Sequence, residues 1–178
     1  MTLEYNLKDD DIIEFQLFHV RKSAAMQASI RFWSLLIPVI LMITIVALDQ
    51  LMTNFSRFFL IFGFGVSIVL AAGYRFVYYY LIKRYTKKML KEGDNKGLTG
   101  KQRLKIKGDS VTITDGKGKL EYEEPFINRI AENNRFYYIY ISSVSAYIVP
   151  KGVFESEEEK SGFLDLLSSF IMKEPESA

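Results

Sequence analysis

Residues 58–91 read "FFLIFGFGVSIVLAAGYRFVYYYLIKRYTKKMLK". Seventeen uncharged residues, Phe58 to Tyr74, lead into Arg75, then "FVYYYLI", then five basic residues in nine. Interleaved aromatic and basic residues suit nucleic acid as well as a membrane boundary. The uncharged run decides between them. At about 1.5 Å per residue it covers roughly 25 Å, near the thickness of a hydrocarbon core. A soluble core helix would keep a polar face over that length, and this one keeps none. Residues 32–48, "FWSLLIPVILMITIVAL", repeat the pattern, and 178 residues are too few to build a shell around two such helices. The runs therefore predict a two-helix transmembrane hairpin, with spans at about 32–52 and 58–82.

Charge orients the hairpin. The connection "DQLMTNFSR" (49–57) holds one Asp and one Arg. Arg21, Lys22 and Arg31 precede the first span, and Lys83, Arg84, Lys87, Lys88 and Lys91 follow the second. The positive-inside rule then puts both termini in the cytoplasm and makes this a multi-pass cell-membrane protein. Residues 1–100 carry twelve Lys and Arg against eight Asp and Glu, while residues 101–178 carry eleven against thirteen. Trp33, Tyr78, Tyr79, Tyr80 and Tyr85 are the expected belt aromatics, with Lys83, Arg84, Lys87 and Lys88 meeting the headgroups. The first run is not a cleaved signal, since an acidic segment precedes it and no small-residue cleavage site follows.

Gly63, Ser67 and Ala71 recur at every fourth position, a small-residue stripe that lets a second helix approach closely. Arg75 is the next position on that stripe. Placed about two turns inside Lys83, it can snorkel to the surface or face a helix interface as an intramembrane functional residue. Pro38 falls inside the first span, where a kink is tolerated.

Outside the spans the periodicity changes. "TLEYNL" (2–7) alternates as a short strand, and "KDDDIIEFQLFHVRKSAAMQASIR" (8–31) follows with an amphipathic helix capped by Asp9 or Asp10. That helix is expected along the membrane surface or against the soluble module. After "KEGDNKGLTG" the chain reads in period two: "QRLKIK", "SVTIT", "LEYE", "FINRIAE", "RFYYIYI" and "SAYIVP". Gly108-Asp109 and Asn133-Asn134 are expected two-residue turns, the asparagines tolerating positive φ. Ser156 with Glu159 forms a capping box before a helix whose apolar stripe is Phe163, Leu166, Leu167, Phe170 and Ile171. The fold class is thus an α+β membrane protein: a hairpin plus a small curved antiparallel sheet capped by a C-terminal helix, similar to a pleckstrin-homology-like (PH-like) module. The expected parts are 1–31 (strand and amphipathic helix), 32–91 (hairpin and basic exit), 92–100 (linker) and 101–173 (module).

The order of these parts, with "LEYNLKDDDIIEFQLFH" at the start, "IVPKGVF" (148–154) and "FYYIYISSVSAYIVPKGVFESEEEKSGFLDLL" near the end, resembles the YcxB-like family of bacterial membrane proteins. The resemblance implies an architecture and brings no catalytic residues to carry over. It implies that "TLEYNL" completes the sheet as a seventh strand. "IVPKGVF" itself reads as a turn and an anchor for the helix.

Chemistry is sparsely signalled. There is no cysteine and one histidine, His19, which removes thiolate chemistry and the usual zinc constellations. Neither "GKGK" nor "GLTGK" has phosphate-loop spacing. Glu121, Glu123 and Glu124 lack a partner set for acid–base work. No catalysis, cofactor, metal or nucleic-acid partner is expected. Lys101, Arg103, Lys105 and Lys107 alternate on one strand face, either as an anion-binding face or as a solvated one neutralised by Glu121 and Glu123. Three readings follow. The first is an anchored binding module whose partners are the bilayer and another membrane or cytosolic protein. The second is an export component for a small molecule or peptide, built from homo-oligomerised hairpins. The third is an interfacial lipid enzyme, which requires an essential acid in 109–124.

Overall fold

A computed structural model of the chain describes residues 1–51, 57–93, 95 and 97–172. The order of elements is β1 (Thr2–Leu7), α1 (Asp9–Lys22), α2 (Ala24–Leu51), α3 (Arg57–Glu92), β2 (Gly100–Lys107), β3 (Ser110–Thr114), β4 (Lys119–Tyr122), β5 (Arg129–Glu132), β6 (Phe136–Tyr140), β7 (Ala146–Pro150), a 3-10 turn at Lys151–Val153, and α4 (Glu157–Ser168). The fold is α+β, with antiparallel sheets and two apolar helices long enough to cross a membrane. Residues 1–15 and 89–178 form one compact unit and residues 16–88 the other, so the unit boundaries fall within α1 and within the last turn of α3.

The sheet unit has two sheets, β1-β2-β3-β4 and β5-β6-β7, all pairs antiparallel. β1 pairs with β2 from Thr2↔Lys105 to Leu7↔Gly100, so the N-terminal segment is a seventh strand and an edge of the larger sheet. One curved sheet was the sequence expectation. The division arises because "FINRIAE" is not strand throughout: only Arg129–Glu132 joins β6. The stretch before it turns to the chain beyond α4, where Phe126 and Ile127 donate to the Phe170 carbonyl and Met172 donates to that of Ile127. Phe170 and Ile171 therefore lie past the end of α4 rather than on its stripe, and Leu166 is exposed.

Period two on these strands gives a single core. Leu3, Leu104, Ile106, Val111 and Ile113 from the larger sheet meet Ile127, Tyr137, Ile139 and Val149, with Phe163 and Leu167 of α4 filling the cluster. β6 is buried on both faces. Tyr137 and Ile139 point to the core, while Tyr138 and Tyr140 meet Phe15 of α1 at ring-centroid distances of 5.4 and 5.9 Å. That explains a strand reading "FYYIY", apolar at every position where half-burial would require alternation.

Local chemistry fixes the ends. Gly108 takes φ 57° in the β2–β3 turn. The Asn133-Asn134 turn does not use positive φ: among the described residues only glycines do. The Asn133 side chain holds it instead, its Oδ1 accepting from the amides of Arg135 and Phe136, both at 2.8 Å. Ser156 Oγ accepts from the Glu159 amide at 3.1 Å, and the Glu159 carboxylate reaches back to the Glu155 amide at 2.8 Å, one residue earlier than a standard capping box. At α1 the capping carboxylate is neither Asp9 nor Asp10, which lie in the first turn. Asp11 accepts from the Lys8 amide at 2.9 Å. In the segment after α3, Asn95 Nδ2 donates to the carbonyls of Leu90 and Gly93 and so satisfies the end of that helix.

Candidate functional site

In the helical unit α2 and α3 pack as an antiparallel pair. Gln27 Nε2 donates to Tyr79 Oη at 3.0 Å, and Tyr78 Oη contacts Met26 Sδ at 3.9 Å. These contacts set the register. Five residues inward from Gln27 is Phe32, and five inward from Tyr79 is Tyr74, so the two uncharged runs lie side by side and Arg75 stands level with Arg31. Arg75 and Arg31 thus each stand one residue beyond an uncharged run. Asp49 stands at the other edge, just past the first run.

The small-residue stripe is used inside this pair. Gly63 and Ser67 are buried, Ala71 is half-buried, and a Cβ on Gly63 would overlap Ile45 Cδ1 of α2. Hydroxyls in the apolar zone are bonded within their own helices: Ser67 to the Gly63 carbonyl, Thr44 to Ile40 and Ser34 to Arg31. The remaining faces are apolar and open, as at Leu35, Ile61, Val69 and Phe76, and no more than 11% of either apolar window is buried. α3 does not stop where its uncharged run stops. Its 36 residues carry the helix through the basic stretch to Glu92, so Lys83, Arg84, Lys87 and Lys88 ride on a continuous rod with Tyr80 and Tyr85 exposed beside them.

At the charged edge, Tyr79 collects several groups. The guanidinium carbons of Arg21 and Arg75 lie 5.5 and 5.7 Å from its ring centroid. Gln27 uses its second N–H on the Val20 carbonyl, in the last turn of α1. Tyr78 meets Tyr74 and Tyr79 by ring contacts, and Trp33 packs edge-on to Phe32 while staying 44% exposed. Neither Arg21 nor Tyr79's role as a hub was legible in the sequence, because the pairing joins residues 52 apart and passes through a glutamine with no pattern around it.

In the sheet unit, Lys101, Arg103, Lys105 and Lys107 project from the exposed face of β2 while Gln102, Leu104 and Ile106 are buried. Arg103 pairs with Glu4 of β1 at 2.8 Å, a carboxylate the sequence reading did not include. Glu121 is held by Lys119 of its own strand at 2.7 Å, which together with the Lys105 charge across the sheet lowers its pKa; Glu123 lies beyond β4. Lys101 and Arg103 border an open depression of about 750 Å³ with Tyr5, Thr114 and Asp115.

A second polar cluster fastens the first half of α1 to the β5–β6 turn. Arg135 pairs with Glu14 at 2.6 Å and Asp11 at 3.5 Å, and Asn133 Nδ2 donates to Glu14 at 2.8 Å and to Tyr138 Oη at 2.9 Å. Burial, with the nearby Glu14 charge, pushes the Tyr138 hydroxyl far above its ordinary pKa. In "IVPKGVF", Lys151 pairs with Glu132 at 2.7 Å and caps the Tyr137 ring, and Phe154 packs on Phe163 at 5.1 Å. The motif is the expected turn and anchor. Among the described residues there is no cluster able to hold a metal ion and no buried polar side-chain atom without a partner. His19 is buried.

Residues 107–167, from the end of β2 through most of α4, match a family model described as YcxB-like protein. The resemblance read from the sequence is borne out over that stretch. No curated protein and no solved structure matches the chain.

Proposed function

We propose that this is a two-span membrane protein that presents a PH-like binding module at the cytoplasmic face, without catalysis. The observation that carries the reading is the register of the hairpin: two uncharged runs of equal length, side by side, open to the surroundings on their outer faces and closed by Arg31 and Arg75 at one edge. A soluble protein would bury such faces. Seven strands split four and three, with a C-terminal helix filling one shared core, support the PH-like assignment of the other unit. Arg75 supports the membrane reading too. Side chains on a helix tilt toward its N-terminus, yet the Arg75 guanidinium lies over a ring one turn C-terminal, the direction of snorkelling out of a bilayer.

The module's partner is a segment of another membrane or cytosolic protein, taken along the outer edge of β4, which pairs on one side only and is exposed along most of its length. The export reading has less support, because its oligomer seam would be the Gly63–Ser67–Ala71 stripe, already turned onto α2. Carbonate extraction of membranes from cells expressing the full chain tests the anchor. Retention in the pellet with release by detergent is expected, and release by carbonate alone would overturn it. Arg75→Leu separates the two functional readings, since it leaves an anchor in place and abolishes a transport path.

A further inference from the structure

We propose that Arg21, Arg75 and Tyr79 form a binding site for the phosphate of an anionic phospholipid at the cytoplasmic rim of the hairpin; the proposal rests on the membrane reading above. Two like charges are brought to one ring: both guanidinium carbons lie within 6 Å of the Tyr79 centroid. No carboxylate among the described residues pairs with either arginine, although in the sheet unit Arg103, Lys119, Arg135, Lys151 and Lys160 each have one. Gathering two cations without a counter-ion is unfavourable unless an anion arrives.

The Tyr79 hydroxyl adds a third donor. Gln27 gives one N–H to Tyr79 Oη and the other to the Val20 carbonyl, so the phenol accepts from Gln27 and keeps its own proton to give. The cluster offers only donors: two guanidinium groups and one hydroxyl. That chemistry selects a phosphate oxyanion over a zwitterionic headgroup, whose ammonium these donors would repel. Its position selects a lipid. Arg75 is level with Arg31 at the end of both uncharged runs, and the faces below are open apolar surface such as Leu35 and Ile68, along which acyl chains can lie.

The site differs from the basic stretch 83–91, which meets a charged surface without geometry. Arg21 comes from α1, Gln27 from α2, and Arg75 and Tyr79 from α3, so the site exists only when the three helices are assembled.

The test is native mass spectrometry of the full chain released from micelles holding equal amounts of phosphatidylglycerol and phosphatidylcholine. The expected result is retained phosphatidylglycerol in several-fold excess, falling to parity in Arg21→Gln/Arg75→Gln, reduced in Tyr79→Phe, and reduced by less in Lys87→Gln/Lys88→Gln than in either. Equal retention of both lipids by the unmodified chain would overturn the site while leaving the anchor intact, because carbonate-resistant membrane association is measured separately. Loss of the preference in the Lys87/Lys88 variant instead would assign it to diffuse charge and also overturn the site. Abolition of the preference by millimolar inorganic phosphate at matched ionic strength would make this a free-phosphate site, against the proposal.

Discussion

Phe163→Ala tests whether the seven strands and α4 form one cooperative module. Phe163 is fully buried, packs against Phe154 at 5.1 Å, and belongs to the cluster that both sheets share. Removing a buried phenyl ring costs about 3–5 kcal/mol, against a typical domain stability of about 5–15 kcal/mol. With a urea dependence of about 2 kcal/mol per M for a unit of this size, the midpoint should fall by roughly 2 M. Trp33, the only tryptophan, sits in α2 and does not report on the sheet unit. The assay is therefore near-ultraviolet circular dichroism of the tyrosines, on the full chain in micelles, with hydrogen exchange at β2, β3, β6 and β7. Protection should fall in both sheets together. A midpoint that moves by less than a quarter of the expected shift, or exchange that rises in α4 alone, would refute the shared core. Phe163→Leu should retain most of the stability, because it keeps most of the volume.

Arg135→Ala should destabilise the sheet unit by about 1–2 kcal/mol, discounted because the arginine is largely exposed, and should raise proteolytic cleavage within α1, whose Asp11 and Glu14 lose their cation. Gly63→Ala should be tolerated, since the atom it meets is the far end of the Ile45 side chain, whereas Gly63→Leu should part the helices. Oxidative crosslinking between cysteines placed at Met26 and Tyr78 would then slow markedly. Burial raises the pKa of Tyr5, Tyr138, Tyr140 and Tyr147. An unfolded tyrosine ionises near pH 10 while these stay protonated, so the unfolded state loses protons first and the sheet unit loses stability as pH rises above about 10. Ultraviolet titration should show Tyr5, Tyr138 and Tyr147 ionising only on unfolding, with Tyr140 shifted upward; ionisation of the first three near pH 10 in the folded protein would contradict their burial.

What the sequence disclosed was whatever depends on local pattern. The two long apolar helices followed from charge-free length, β2 and β3 from alternation around Gly108-Asp109, and the start of α4 from Ser156 and Glu159. What depends on pairing across the chain did not show. Nothing in "FINRIAE" tells that its first residues bond to the chain after α4, so one sheet was expected where two exist. The Asn133 turn has the right residues but another mechanism, a side-chain acceptor in place of positive φ. Counting turns placed Arg75 about two turns inside Lys83 and left open what stands beside it. Only the pairing of Gln27 with Tyr79, 52 residues apart, brings it level with Arg31 and beside Arg21.

The central claim is that the hairpin crosses the membrane with the sheet unit inside the cell, and the absence of cysteine makes it directly measurable. Single cysteines at Thr53, between the two spans, and at Lys117, on the exposed β3–β4 connection, would each be treated with a membrane-impermeant thiol reagent in intact cells. The account predicts labelling at position 53 alone, with position 117 reacting only after the cells are opened. Labelling at position 117 in intact cells would contradict it, inverting the charge argument and placing the module and its partner outside.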